Sequence, residues 1–510
     1  MERNRSSGIL LHPTSLPGPY GIGDMGSAAY RWLDFLYDSN CALWQILPLG
    51  PTGFGDSPYQ CFSSKAGNPY IVSPEMLLQD GLLHSDDLAN LPEFPDHEVD
   101  YGRVIPFKTG ILDRSFHQFQ HSAPKKIRNE FDDFFSYQKE WLDDFALFMA
   151  IKEAHGGVQW TKWEKGLRNR APEALKSARE KLHFAFQRQV YRQFLFFKQW
   201  KGLKEYARSK GITIIGDAPI FVSHDSVDVW VNPELFFLDE TGDPTFVAGV
   251  PPDYFSPTGQ LWGNPLYNWE KHKKTGYQWW ISRLKIVLDL VDFIRLDHFR
   301  GFAGYWEIPG KAKTAEKGRW VKAPGPDFFN KIREKLGGLP IIAEDLGVIT
   351  PDVEYLRDLY GLPGMKILQF AFEGGPTDPF LPHNYIRNCV VYTGTHDNDT
   401  AEGWFQRVGE STKKFCCQYL NCDGSEISWD MIRACWSSVA VYSIAPMQDF
   451  LGLGNEARMN YPGNPSGNWR WRVSDHLENK KLIDRICELN YLFNRNNPKK
   501  LESKAETEML

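Results

Sequence analysis

Eight short apolar runs of high β-propensity constrain this chain more than any other feature: "GILL" (8–11), "LWQILPL" (43–49), "ITIIGDAPI" (212–220), "DFIRLD" (292–297), "PIIAED" (340–345), "MKILQF" (365–370), "VVYTGTH" (390–396) and "YSIAPMQD" (442–449). Their cores are apolar nearly throughout rather than alternating, so both faces must be covered, as in a parallel sheet flanked by helices. Helical patterns lie between several of them. "YRWLDFLYDS" (30–39) puts Trp32, Phe35 and Leu36 on one face. "FFNKIREKLGG" ends in the glycine pair of a helix stop, and "TPDVEYLRDLYG" opens with Thr350 as N-cap and Pro351 in the first turn. Eight strands alternating with helices predict an α/β fold, a (β/α)8 TIM barrel with helical and loop-rich subdomain insertions, rather than an open doubly wound sheet. No glycine-rich dinucleotide fingerprint and no GxxxxGK[ST] loop occurs, which removes the usual ligands of open sheets.

The spacing of the runs is uneven, and the insertions follow from it. Residues 1–74 read as the first part of the barrel and 75–185 as a mostly helical insertion. There "YQKEWLDDFALFMAIKEAHGG" sets Trp141, Phe145, Phe148 and Met149 on one stripe, ending at Gly156 and Gly157. A second helix runs near "EKLHFAFQRQVYRQFLFFKQWKGLKEYARSKG". Residues 186–220 return to the barrel, and 221–288, dense in Pro, Gly and aromatics, form a loop-rich insertion over the active site. Residues 289–495 complete the barrel with its catalytic strand ends, and 496–510 are a polar, frayed tail.

Charge and cysteine usage narrow the class. Lys and Arg number 58 against 64 Asp and Glu, a net charge of −6 with no basic block, which argues against nucleic acid or an anionic membrane as partner. The opening "MERNRSSGILLHPTSLPGPY" is basic, but its apolar run is broken by His12 and Pro13, so no signal peptide is expected. No apolar stretch approaches membrane-span length. The eight cysteines lack paired metal spacing and read as reduced core thiols of a cytoplasmic protein. No cluster of loop acids forces a calcium site, so neither cofactor nor metal is expected. Aromatics are abundant. Most belong in the core, but Trp262 in "TGQLWGNP" and Trp469 in "GNPSGNWRW" sit in loop-like sequence and read as poor core residues. Their flat faces suit sugar rings.

Polar residues recur where barrel chemistry sits, at the C-terminal strand ends. Asp217 ends the third run, Arg295 and Asp297 the fourth, Glu344 and Asp345 the fifth, His396 and Asp397 the seventh. In "FIRLDHFRGF" strand alternation puts Arg295 and Asp297 on one face and Ile294 and Leu296 on the other, so the charged pair faces the barrel mouth. A single such pair is often structural; acids on four strand ends point to a site. Carboxylates converging without metal-ligand histidine spacing suggest glycosidic chemistry. Asp297, held ionised by Arg295, is the better nucleophile. Glu344, behind Ile341, Ile342 and Ala343, is the better acid/base. Asp397, between His396 and Asn398, is placed to grip sugar hydroxyls and distort the ring. His298 is either core or sugar-facing.

"FIRLDHFRGF", "IIAEDLG" and "YTGTHDND" resemble the nucleophile, acid/base and stabilising-acid segments of the α-amylase clan. "GILLHPTSLPGPYGIGD", "WQILPLGPTGFGDSPYQ", "AGNPY", "GDAPIFV", "VAGVPPDYFSPTGQLWGNPLYNW", "RGFAGYWEIP" and "GNPSGNWRWR" resemble the amylomaltase, or 4-α-glucanotransferase, family specifically, from about residue 8 to about 490. The resemblance implies a retaining enzyme that cuts α-1,4-glucan donors and passes the glucosyl segment to glucose or a maltooligosaccharide. It also implies Asp297 as nucleophile, Glu344 as acid/base and Asp397 as stabiliser. Tyr59, Arg295, His298 and His396 match donor-sugar contacts, and Asp217 and Asn464 are further candidate substrate-binding residues. Tyr254, Phe255, Gln260 and Trp262 fall on the acceptor side, in a loop arching over the cleft. One departure is Phe54, where several family members carry Tyr at a remote glucan-stacking position; Phe can stack but lacks the hydroxyl. An α-glucan hydrolase with the same acids, and a non-catalytic glycan-binding barrel, are the competing readings. The intact acids speak against the second.

Overall fold

The computed structural model describes residues 4–252, 256–474 and 477–502. Each of the eight apolar runs carries a strand of one parallel sheet. These are β1 (Ser6–Leu10), β2 (Leu43–Gln45), β3 (Thr213–Pro219), β6 (Phe293–Asp297), β9 (Ile341–Ala343), β10 (Gly364–Ile367), β11 (Cys389–Tyr392) and β12 (Tyr442–Pro446). The order β10-β11-β12-β1-β2-β3-β6-β9 curls them into a nearly closed (β/α)8 barrel. Ile294 and Leu296 of β6 pack outward into the layer shared with the helices. Arg295 lies in register with Asp217 on one side and Ile342 on the other, and Ile342 belongs to the barrel interior.

The remaining seam, between β9 and β10, has no continuous ladder. The Ala343 N–H donates to the Pro363 carbonyl at 2.9 Å, and the Met365 N–H donates to Asp345 Oδ1 at 2.7 Å. Asp345 is buried, and its other oxygen pairs with Arg357 Nη1 at 2.6 Å. Only glycine fits opposite it, because a Cβ on Gly364 would stand 2.4 Å from Asp345 Oδ2.

A second sheet, antiparallel, has the order β5-β4-β7-β8. Its strands are β4 (Phe246–Val250), β5 (Gln260–Pro265), β7 (Gly304–Pro309) and β8 (Arg319–Lys322). It therefore joins the stretch before β6 to the stretch after it, across residue 288. Between β2 and β3 run the long helices Tyr101–Ser122, Lys125–Ala154 and His183–Ser209. Trp141, Phe145 and Phe148 are buried on the second of these, while Met149 is half-buried.

Details at element ends differ from expectation in two places. Thr350 precedes the helix Pro351–Leu359, but its hydroxyl donates to Asp352 Oδ1 at 2.5 Å instead of capping a backbone N–H. Of the expected polar tail, residues 496–502 are described and are anchored at Asn497 and Lys500; the rest lies outside the described residues. Asn497 is fully buried, and its Nδ2 donates to the carbonyls of Cys41 and Lys210, each at 3.0 Å. A polar residue with every group satisfied is stable inside, and composition does not reveal that. Among the described residues no helix is long and apolar enough to cross a membrane.

The seam yields a test of stability. Asp345→Ala removes the acceptor for Met365 N–H and leaves Arg357 without that buried partner, an expected loss of about 3–5 kcal/mol. Urea denaturation measures it; an unchanged midpoint would show that the barrel closes without this carboxylate.

Candidate active site

The centre of the mouth is Arg295, only 3% exposed. Its Nη1 donates to Asp217 Oδ2 at 2.6 Å and stands 2.9 Å from Asp297 Oδ1. One fixed cation is thus shared between the ends of two adjacent strands. Tyr59, from the loop after β2, donates its hydroxyl to the same Asp217 oxygen at 2.8 Å. The Tyr59 ring stacks on His396, with centroids 5.2 Å apart and planes 15° apart. Trp469 leans on both rings at 5.7 and 5.9 Å. The reading of Trp469 as a poor core residue is corrected here. The indole is 5% exposed, because its loop folds back through a Trp469 N–H to Met459 carbonyl bond of 2.8 Å. Trp262, by contrast, is half-buried.

Glu344 follows β9 directly. Its Oε2 accepts from the His298 N–H at 2.7 Å and its Oε1 from the Leu346 N–H at 3.0 Å. The first bond exists because His298 turns the chain in the left-handed region (φ 51°, ψ 50°), aiming its amide back at β9. The His298 ring meets Trp262 of β5 edge-on at 4.8 Å, so this histidine faces the mouth and the antiparallel sheet beside it, the roof sheet. Asp397 is 44% exposed and Asp297 28%, the open floor of the cleft. Asp397 Oδ2 lies 3.3 Å from His396 Nε2, and its Oδ1 accepts from Asn460 Nδ2 at 2.6 Å.

The electrostatics separate the carboxyls. Burial pushes Asp297 up to about 6; Arg295 opposes this, and Asp217 and Asp397 reinforce it. Arg295 therefore does not hold Asp297 in the usual carboxylate range, as the sequence suggested, because desolvation and two neighbouring acids outweigh it. Glu344 is raised well above the usual range, by burial first, with Asp297 adding and Arg295 opposing. Burial also drives His298 down to about 3 and lowers His396, leaving both rings neutral. Four polar atoms around this mouth have no partner within the described protein: Asp217 Oδ1, Arg295 Nε, His298 Nε2 and His396 Nδ1. Such atoms cost about 1–3 kcal/mol each when buried and unpaired.

The structure thus gathers Asp217, Arg295, Asp297, His298, Tyr59, Glu344, His396, Asp397 and Trp262 at one mouth. Gln260 is exposed on β5 and accepts from Trp262 Nε1 at 3.1 Å. Asn464 is exposed at the tip of the loop that carries Trp469, and no bond joins its side chain to the acids. The expectation for Tyr254 and Phe255 lies outside the described residues. Phe54 is 77% exposed. Sequence reasoning missed Asn460 and Arg458, whose only signal was their place in the loop before "GNPSGNW". Among the described residues no group of three or more His, Cys, Asp or Glu side chains is arranged to hold a metal ion.

Known proteins resemble this chain over most of its length. The family model described as 4-alpha-glucanotransferase matches residues 11–478. A protein named 4-alpha-glucanotransferase from a Synechocystis species is 51% identical over 97% of this chain and 99% of its own length. One of the same name from Thermus thermophilus is 52% identical over 93% of this chain and 95% of its own. Among solved structures, the amylomaltase of Streptococcus agalactiae in complex with acarbose superposes with a TM-score of 0.93. It is 42% identical, and the match covers 96% of this chain and all of that one.

The Arg295 hub is testable on its own. Arg295→Met leaves Asp217 and Asp297 side by side with no cation between them, an expected loss of about 3–5 kcal/mol at neutral pH. A denaturation midpoint equal to that of the unmodified chain would show that the two carboxyls need no shared guanidinium.

Proposed function

Because the chain belongs to the 4-alpha-glucanotransferase family, we propose that it transfers segments of α-1,4-glucans by retaining double displacement, using Asp297, Glu344 and Asp397. The observation that carries the assignment of roles is the split between two carboxyls at adjacent strand ends. Asp297 touches Arg295 and titrates near 6, whereas Glu344, away from that contact, is held protonated by burial. Asp297 attacks the anomeric carbon while Glu344 gives its proton to the glycosidic oxygen, so the distal glucan leaves with a free hydroxyl. The remaining segment is then an ester of Asp297. An acceptor hydroxyl gives its proton to the Glu344 carboxylate, attacks the same carbon and releases Asp297, restoring the original configuration.

Asp397, with neutral His396 beside it, accepts sugar hydroxyls and favours the distorted ring. Tyr59 and Arg295 bind the donor glucose from the other side. Asp217 acts chiefly by fixing these two groups. The roof sheet, with Trp262 over His298, keeps the ester from water, and a dry site favours a bound sugar acceptor over hydrolysis. Acceptors are glucose and maltooligosaccharides. The 42% identical amylomaltase that holds acarbose supports an oligosaccharide cleft. Eight free thiols, four of them buried, support work in a reducing cytoplasm.

Pure maltotriose should give glucose and a ladder of longer maltodextrins with total reducing ends nearly constant. Reducing ends that climb as fast as maltotriose disappears would make it a hydrolase with the same acids. Asp297→Asn should keep the fold and lose about four or more powers of ten in turnover.

The pH profile tests the division of roles. kcat/KM should rise through about pH 6, as Asp297 loses its proton, and fall at higher pH, as Glu344 loses its own. A profile flat from pH 5 to pH 7 would reject Asp297 as the group that must ionise.

A further inference from the structure

Asp397 is more open than Asp297, yet both its side chain and its backbone are held from one direction. Asn460 Nδ2 donates to Asp397 Oδ1 at 2.6 Å. Arg458 Nη2 donates to the Asp397 carbonyl at 2.6 Å, and the same guanidinium donates through Nε to the Asn460 carbonyl at 2.8 Å. Arg458 therefore ties the backbone of the acid to the backbone of the residue that grips its carboxylate. The clamp is itself braced. The Arg458 guanidinium lies 4.5 Å from the Tyr461 ring centroid, and the Tyr461 hydroxyl donates to Asn455 Oδ1 at 2.8 Å. Asn455 Nδ2 donates in turn to Asp399 Oδ2 at 2.9 Å, two residues beyond Asp397. On the far side, the Trp469 N–H returns the loop to the Met459 carbonyl, and its indole supports His396 and Tyr59.

A half-exposed carboxylate on a turn has free rotation about χ1 and χ2 unless something removes it. Here one oxygen is taken by Asn460, which leaves Oδ2, beside His396, to meet the sugar. Asn460 suits the task because it donates without charge and so does not neutralise the acid. We propose that Asn460 and Arg458 are positioning residues that fix the rotamer and backbone of Asp397. The proposal rests on the role of Asp397 given above. Both residues act through Asp397, so their loss weakens binding of the distorted ring more than binding of the relaxed glucan.

The test is a double-mutant cycle on the full chain, read with maltotriose and with α-glucosyl fluoride, a donor whose leaving group needs no proton. Asn460→Ala should lower kcat by about tenfold or more while KM changes by less than about twofold. Arg458→Lys keeps the charge but loses the fork, and should lower kcat by at least about threefold. In an Asp397→Asn background neither change should lower the residual α-glucosyl fluoride rate further, because the group they position is gone. Melting temperatures of all variants, with Arg458→Lys as the milder change, guard against a folding defect. Losses that multiply with that of Asp397→Asn, or that appear in KM alone, overturn the positioning role while leaving Asp397 in place. An Asp397→Asn variant as active as the unmodified chain overturns both readings.

Discussion

Everything at this mouth depends on a cation that cannot move away. Arg295 is on a strand, in register between Asp217 and Ile342, with its guanidinium enclosed by the barrel. A mobile lysine on a loop would be free to follow one acid or the other; this arginine must serve both. Its bond to Asp217 fixes one direction, Tyr59 bonds the same Asp217 oxygen, and the remaining reach defines where Asp297 stands. The acids then differ by distance from that charge. Asp297 is in contact with it, and Glu344 is held by two backbone amides. Desolvation raises both and Arg295 opposes the rise in both, but only Asp297 is in contact with that cation.

Much of this was legible in the sequence. Buried parallel strands leave almost unbroken apolar runs, and all eight were visible for that reason. The charged strand ends were visible because they interrupt those runs. The roof sheet was not. "FVAGV", "QLWGNP", "GYWEIP" and "RWVK" contain glycine, proline or solvent-facing side chains, so neither alternation nor continuity marks them as strands. The family resemblance covered the segments of β4, β5 and β7 without revealing that they pair, and did not touch β8.

The errors have a common cause. Trp469 looked like a loop residue because glycine and asparagine surround it, yet the loop folds back and buries the ring. Asn497 looked like tail because its neighbours are polar, yet two backbone carbonyls of the barrel receive its amide. Asn460 and Arg458 gave no signal beyond their place in that loop, since a hydrogen-bond donor in a loop has no periodicity to betray its partner. The level of Asp297 was misjudged because a sequence shows which charge is adjacent but not how much water has been removed.

The roof sheet has a mechanical meaning. Strand β6 lies in the chain between two roof strands, β5 and β7, and only the short turn Phe299–Phe302 separates Asp297 from the start of β7 at Gly304. A cover hung from a single hinge could swing clear without disturbing what lies beneath it. This one is tied through residues 298–303 to the strand that bears Asp297 and Arg295, so a movement of the cover and the contact of that strand with Asp217 on β3 are coupled.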